Sequence, residues 1–208
     1  MRLTVCCVSR NKSIYVTTLH MLLQLTGHAV QNGHQINITF VTDMNELPKL
    51  MKTCERILWV NYGSSLDNAS FPNVFKKCEV GVFPAVTEGV LWDQFKKGVQ
   101  TKTNEPLHQI GMGFDTTLEK KIEEDVWSVK ECAPSIWVAD CAKVVEKVKG
   151  RKGEGLKLPN TTGEVFKKFI DNDVRVIAYT KSDVLMHYSH ECIGSLLETA
   201  GVSCQKVD

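Results

Sequence analysis

The sequence predicts an α/β protein, a mostly parallel central sheet flanked by helices, and three observations carry that expectation. From Leu3 to Asn61, apolar runs of strand character alternate with helix-length segments. Strands joined by such connections pair in parallel through right-handed crossovers. The run Ile57-Leu58-Trp59-Val60 is continuously apolar and ends in Asn61-Tyr62-Gly63-Ser64, as a strand buried on both faces does where it leaves a sheet. With 208 residues, 43% hydrophobic and 24% charged, the chain is long enough for one well-buried domain and too apolar for a disordered one.

Taken in order, Leu3 to Val8 is the first strand and Ser9-Arg10-Asn11-Lys12-Ser13 the turn that leaves it. A helix is expected from Ser13, a good N-cap, to Gly27, where the helix would stop. Asn32-Gly33 is a turn signal, and Ile36 to Val41 alternates as a second strand ending at Thr42-Asp43. Asn45 to Cys54 reads as a short helix with Pro48 in its first turn, leading into the strand Ile57–Asn61. Ser70 to Cys78 reads as a helix and Val80 to Val86 as a strand, with Pro84 marking its end or a sheet edge. The stretch 87–125 has five scattered glycines and prolines and little period; it is expected to be a long irregular insertion, of the kind that serves as a lid or acceptor-binding loop.

Beyond it, Val126 to Val129 and Ser135 to Ala139 are expected as two strands, in the simplest arrangement a hairpin. A helix opened by Asp140 runs to Lys149, Gly150 to Gly155 is a basic glycine-rich break, and Gly163 to Asn172 is an amphipathic helix. Val174 to Tyr179 is a late strand, and the tail carries His187-Tyr188-Ser189-His190-Glu191 and a final helix from about Ile193 to Ala200. The whole is expected as a single domain, 1–208, with a helical C-terminal part.

Composition excludes several classes. A net charge of +1 provides no field for nucleic acid or an anionic membrane, and the lysines near Lys147 to Lys152 lack an aromatic platform. No apolar run approaches the roughly 20 residues of a membrane span. The N-terminus shows no cleavage-site pattern, so a cytoplasmic location is expected. The eight cysteines form no CxxC pair and sit mostly in apolar settings, as buried reduced thiols do. The sequons at Asn11, Asn37, Asn68 and Asn160 then carry no meaning. Neither GxGxxG nor a Walker A loop follows the first strand, and no G-x-S-x-G elbow is present. His187 and His190 lie three apart, but not in HExxH order, so His187 is at most one ligand of a metal site made elsewhere.

What remains is a set of polar strand ends: Ser9-Arg10-Asn11, Thr42-Asp43, Asn61-Tyr62-Gly63, Thr87-Glu88-Gly89 and Asp140. The first three share one edge of a parallel sheet, where a nucleotide could lie across them. Each has a plainer role as well. Asn61-Tyr62-Gly63 serves as a turn, Asp140 as a helix cap, Glu88 as an exposed loop carboxylate, and Trp92 and Trp137 as core residues rather than sugar platforms.

At these strand ends the chain resembles glycosyltransferases of the GT-A type, a Rossmann-like fold that binds nucleotide sugars, and in particular the small glycosyltransferase-like domains of large DNA viruses and some phages. The stretches that carry the resemblance are Val5–Ser13, Phe40–Asp43, Ile57–Gly63, Phe83–Gly89 and Trp137–Asp140, about the first two thirds of the chain. The resemblance implies transfer of a sugar from a nucleotide diphosphate sugar to a glycan or protein acceptor, in the host-cell cytoplasm if the protein is viral. Ser9, Arg10 and Asp43 would contact base and ribose, and Asn61 and Gly63 would face the diphosphate. Asp140, with Glu88 in reserve, would be the general base. The family commonly carries a DxD motif holding Mn²⁺ or Mg²⁺ where this chain reads Asn61-Tyr62-Gly63. The departure leaves Asp67 and His187 as substitute ligands, or points to an inactive GT-A-like binding protein.

Overall fold

The computed structural model of the protein describes residues 1–101, 111–149 and 156–187. Its centre is an eight-stranded sheet in the order β2-β1-β3-β8-β5-β9-β7-β6. β1 (Arg2–Val8), β2 (Gln35–Val41) and β3 (Arg56–Val60) are parallel neighbours with β1 in the middle. β5 (Val80–Phe83) and β9 (Val176–Tyr179) pair in parallel with each other. β8 (Ile136–Asp140) runs antiparallel between β3 and β5, and β7 (Val126–Cys132) antiparallel between β9 and β6 (Thr116–Glu123). Six strands therefore share one direction, and β7 and β8 oppose them. A separate antiparallel ribbon pairs β4 (Ser64–Leu66) with β10 (Val184–Met186).

Side chains alternate along these strands and cover both faces. Leu58 and Val60 of β3, with Leu3 and Val5 of β1, pack under α1 (Val16–Gln31) and α3 (Phe71–Phe75). Ile57, Trp59 and Trp137 point the other way, to α2 (Leu47–Thr53), α5 (Cys141–Val148) and α6 (Thr162–Asp171). All five residues of β3 are buried, which is why it reads as an unbroken apolar run. Among the described residues, no helix is long and apolar enough to cross a membrane.

Several expected boundaries shift. The first helix starts after Tyr15, not at Ser13, whose hydroxyl instead donates to the Arg10 carbonyl at 2.7 Å. Gly27 does not end it. The helix stops at Gln31, where Gly33 takes φ +68° and His34 N–H donates to the Ala29 carbonyl at 2.8 Å, a Schellman ending that calls for glycine at Gly33. Gly27 is thus an exposed mid-helix glycine, and a Cβ added there would meet nothing within 4 Å. Gly27→Ala should raise stability by about 0.5–1 kcal/mol, read as a higher denaturation midpoint with unchanged slope.

The stretch 87–125 is not irregular throughout, since it contains α4 (Trp92–Thr101) and β6. The strands near 126 and 135 do not form a hairpin. β7 pairs with β6 and β9, and β8 is inserted between β3 and β5. The expected basic break 150–155 and the tail helix from 193 to 200 lie outside the described residues. The C-terminal part that is described holds α6, β9 and β10.

The amino ends of β5 and β9 are tied by Glu79. Its carboxylate accepts from Lys147 Nζ at 2.7 Å and from Arg175 N–H at 2.8 Å. Burial pushes this carboxyl up, but the Lys147 ammonium and the Arg175 N–H more than offset it and hold it below its ordinary 4.5. A depressed acid stabilises the fold above its unfolded pKa, and that stability is lost as pH falls through the folded value. Glu79→Gln should therefore lower stability at neutral pH and flatten the loss seen on acidification below 4.5, measured as denaturation midpoint against pH.

Candidate functional site

The connections of the first three strands leave the sheet on opposite faces. α1 joins β1 to β2 on one face, and α2 joins β2 to β3 on the other. The crevice outside the carboxyl ends of β1 and β3 is therefore the point where the strand order reverses, the place where open α/β sheets hold ligands.

At the β1 exit, Ser9 N–H donates to the Val41 carbonyl at 2.9 Å, which joins the ends of β1 and β2. Arg10 and Ser13 then exchange backbone hydrogen bonds of 3.1 and 2.9 Å around Asn11 and Lys12, both left-handed at φ +52° and +60°. This tight loop sets the Arg10 guanidinium 5.0 Å from the centroid of the Tyr62 ring. A cation over an exposed aromatic ring is worth about 0.5–1 kcal/mol, enough to bias one placement of a long side chain.

At the β3 exit, Asn61 N–H donates to the Ser135 carbonyl at 2.9 Å, and Asn61 O accepts from Ser64 N–H at 3.1 Å. Gly63 sits at the third position of this turn with φ +76°, where a side chain is unfavourable. The indole N–H of Trp59 donates to Asn61 Oδ1 at 2.9 Å. This bond satisfies a buried donor and uses the carbonyl of Asn61, so the amide's other face is its Nδ2 donor. A donor suits phosphate oxygens and does not suit a cation.

Two tyrosines complete this edge: Tyr62, to which the sequence assigned no role within the Asn61-Tyr62-Gly63 turn, and Tyr15, which the sequence did not single out. Tyr15 stacks on His187, with centroids 5.0 Å apart and planes at 10°, and leans on Tyr62 at 5.1 Å. His187 N–H donates to Gly63 O at 2.7 Å. The only signal of the tyrosines in the sequence is adjacency to the turns that leave β1 and β3. Arg10, Tyr62, Tyr15, Gly63 and His187 thus form one cluster.

The other expected residues are placed as follows. Asp43 lies at the exit of β2, exposed, and caps the next turn through Asn45 N–H at 2.8 Å. Glu88 lies past the end of β5, exposed, on the same edge as Asn61. Asp140 is at the opposite edge. Because β8 is antiparallel, its end pairs with Arg56 at the start of β3, while Ser135 meets Asn61. Five residues of strand separate them, about 17 Å at the usual rise. Asp140 caps α5 through Lys143 N–H at 3.2 Å and cannot act at the β1–β3 crevice.

Asp67 and His187 do not come together either. They flank the β4–β10 ribbon, where Asp67 N–H bonds Asp183 O and His187 N–H bonds Gly63 O. Four strand steps put them about 13 Å apart. Asp67 caps a turn through Ala69 N–H at 2.9 Å and lines a separate cavity of about 510 Å³ beside His20 and Asp183. Among the described residues, no three of His, Cys, Asp and Glu are grouped to hold a metal ion. Asn61 brings a single amide oxygen to this strand end, one lone pair of which accepts from Trp59, where a carboxylate would offer a charged oxygen to Mn²⁺ or Mg²⁺. Trp137 is fully buried and belongs to the core, whereas Trp92 is 60% exposed on α4.

The six cysteines among the described residues are free. Burial pushes the Cys7 thiol up to about 11 and the Cys141 thiol up to about 12, which disfavours the thiolate form. Cys192 and Cys204 lie outside the described residues.

One carboxylate at this edge belongs to the stretch without a clear period and is absent from the sequence-based expectation. Asp115 Oδ1 accepts from Ala85 N–H at 3.1 Å and from the Thr116 hydroxyl at 2.8 Å, and its Oδ2 accepts from Ser135 N–H at 3.3 Å. It joins the exit of β5 to the start of β8 at Ser135, the residue whose carbonyl accepts from Asn61 N–H. Burial pushes its pKa up, and these three hydrogen bonds offset only part of the rise.

No protein-family profile matches the chain, and no curated protein does. Among solved structures it is similar to a Bacillus anthracis protein provisionally assigned as a glucose-1-phosphate thymidylyltransferase and crystallised with sucrose, at 9% identity and TM-score 0.47, over 88% of this chain and 89% of that one. HddC from Yersinia pseudotuberculosis, in complex with GMP-PN, is similar at 7% identity and TM-score 0.42 over 89% and 92%. The galactosyltransferase LgtC, with donor and acceptor sugar analogues, follows at 10% identity and TM-score 0.36 over 86% and 73%. Likeness this distant assigns neither an activity nor a ligand to this chain.

Proposed function

We propose that the crevice between the ends of β1 and β3 binds a nucleotide diphosphate sugar, and that the protein transfers the sugar to an acceptor hydroxyl as GT-A-type enzymes do. The observation that supports this is the meeting of Arg10 and the Asn61–Gly63 turn at the point where the strand order reverses. Arg10, Ser9 and Asp43 contact the nucleoside side of the ligand. Asn61 Nδ2 and the turn face the diphosphate, where fixed donors stabilise the charge that develops on the leaving group. The acceptor is a glycan or a protein.

A second reading, a GT-A-like protein that binds without transferring, is favoured by the absence of a carboxylate at Asn61 and by the distance of Asp140. Both readings make the ligand's own phosphates the main holders of any cation. Calorimetric titration of uridine and guanosine diphosphate sugars should therefore show affinity that changes little between Mn²⁺ and chelator. Asn61→Asp should introduce Mn²⁺ dependence, since a carboxylate can satisfy Trp59 with one oxygen and offer the other to a hard cation. Strong Mn²⁺ dependence in the unaltered protein would overturn the assignment of the crevice residues, and no binding of any nucleotide sugar would overturn the donor site itself. Binding without turnover would select the second reading.

A further inference from the structure

A cavity of about 910 Å³ opens beside Asp115, between the β6–β7 hairpin and α6. Its size is that of a ligand site. Acidic and basic side chains are mixed around its wall, with Glu131 and Asp171 beside Lys167, so no ionic class is selected. Phe114, 60% exposed, stands at its rim next to Asp115. An exposed aromatic ring followed by carboxylates, hydroxyls and ammonium groups matches a pyranose, which has a flat C–H face and a hydroxyl rim.

The cavity also adjoins the crevice. Asp115 Oδ2 accepts from Ser135 N–H at 3.3 Å, and Ser135 O accepts from Asn61 N–H at 2.9 Å. Two hydrogen bonds through one residue therefore link the head of the cavity to the exit of β3. Among the described residues, Oδ1 accepts two hydrogen bonds, of 3.1 and 2.8 Å, and Oδ2 accepts one, of 3.3 Å.

We infer that this cavity is the acceptor site, that it takes an uncharged sugar, and that Asp115 is the base that receives the proton of the acceptor hydroxyl. The inference rests on the donor site proposed above. As the acceptor oxygen bonds to the anomeric carbon, its proton passes to Asp115 Oδ2. The bond from that carbon to the phosphate oxygen breaks, and the nucleoside diphosphate leaves with the electron pair. A carboxyl held above its ordinary range by burial is the stronger base for that transfer.

The test uses the full chain and methyl glycosides of glucose, galactose, mannose and N-acetylglucosamine, read by saturation-transfer NMR with and without nucleotide sugar. At least one glycoside should give signals that Phe114→Ala and Lys167→Trp both reduce several-fold. Lys167 is an exposed position of α6, so the second variant fills the cavity without touching the core. Nucleotide-sugar affinity should be unchanged in both. Asp115→Asn should lower transfer by about 10²–10⁴-fold while both ligands still bind. If that variant does not fold, Asp115→Glu should keep activity and shift its acidic limb. Absence of glycoside binding, or signals indifferent to both cavity variants, would overturn the acceptor site. If the nucleotide sugar still binds in that case, the donor reading survives and only this inference falls. Glycoside binding without nucleotide-sugar binding would leave the cavity a sugar site and overturn the transfer step.

Discussion

Trp137→Ala should lower stability by about 3–5 kcal/mol, a large share of what a domain of this size has. Trp137 is fully buried as the second residue of β8. Its ring centroid lies 6.0 Å from that of Trp59, 5.4 Å from Phe166 and 6.3 Å from Phe169. It therefore joins the central sheet to α6, and truncation opens a cavity that its three rigid aromatic neighbours cannot close. Its indole N–H has no hydrogen-bond partner among the described residues. Trp137→Phe removes that orphan donor and keeps most of the volume, so it should cost less than about 1.5 kcal/mol. Urea denaturation of the two variants is the check. A loss for Trp137→Ala no larger than that for Trp137→Phe would show that α6 does not depend on this contact.

Gly63→Ala should have the second largest effect, and it should reach function. A residue with a Cβ at φ +76° costs about 1–2 kcal/mol in backbone strain. The Cβ would also come within 2.7 Å of the His187 carbonyl and 3.3 Å of the Tyr15 ring, and moving them adds about 1–3 kcal/mol. The relief available is for β10 to part from β4 and for Tyr15 to leave Tyr62, which dismantles the Arg10 side of the crevice. Nucleotide-sugar affinity should fall together with stability. Gly63→Asn separates the two causes, because asparagine tolerates the left-handed backbone but brings the same Cβ. Recovery with asparagine would mean that the backbone alone required glycine.

Much of the edge at the ends of β1, β2 and β3 was legible in the sequence. The unbroken apolar run of β3, the alternation of β2 and the helix-length connections suffice to place β1, β2 and β3 side by side in parallel, and hence to bring Ser9, Arg10, Asp43, Asn61 and Gly63 to one edge. The cavity beside Asp115 was not legible. β6 is exposed along most of its length and has no apolar period to read. Asp115 acquires its meaning only from Ala85 and Ser135, 30 and 20 residues away. β4 and β10 have three residues each, too few for a period to show.

By itself, then, the sequence determined which segments are buried strands, because burial of apolar side chains is a local pattern with a fixed repeat; their ends shift, as where the strand expected over Val80 to Val86 stops at Phe83. The tertiary structure alone decided the direction of β8. Alternation reads the same from either end of a strand, and only pairing with β3 and β5 makes it antiparallel. That one reversal takes Asp140 to the far edge, brings Ser135 to Asn61, and with it sets the half-buried Asp115 beside that strand end.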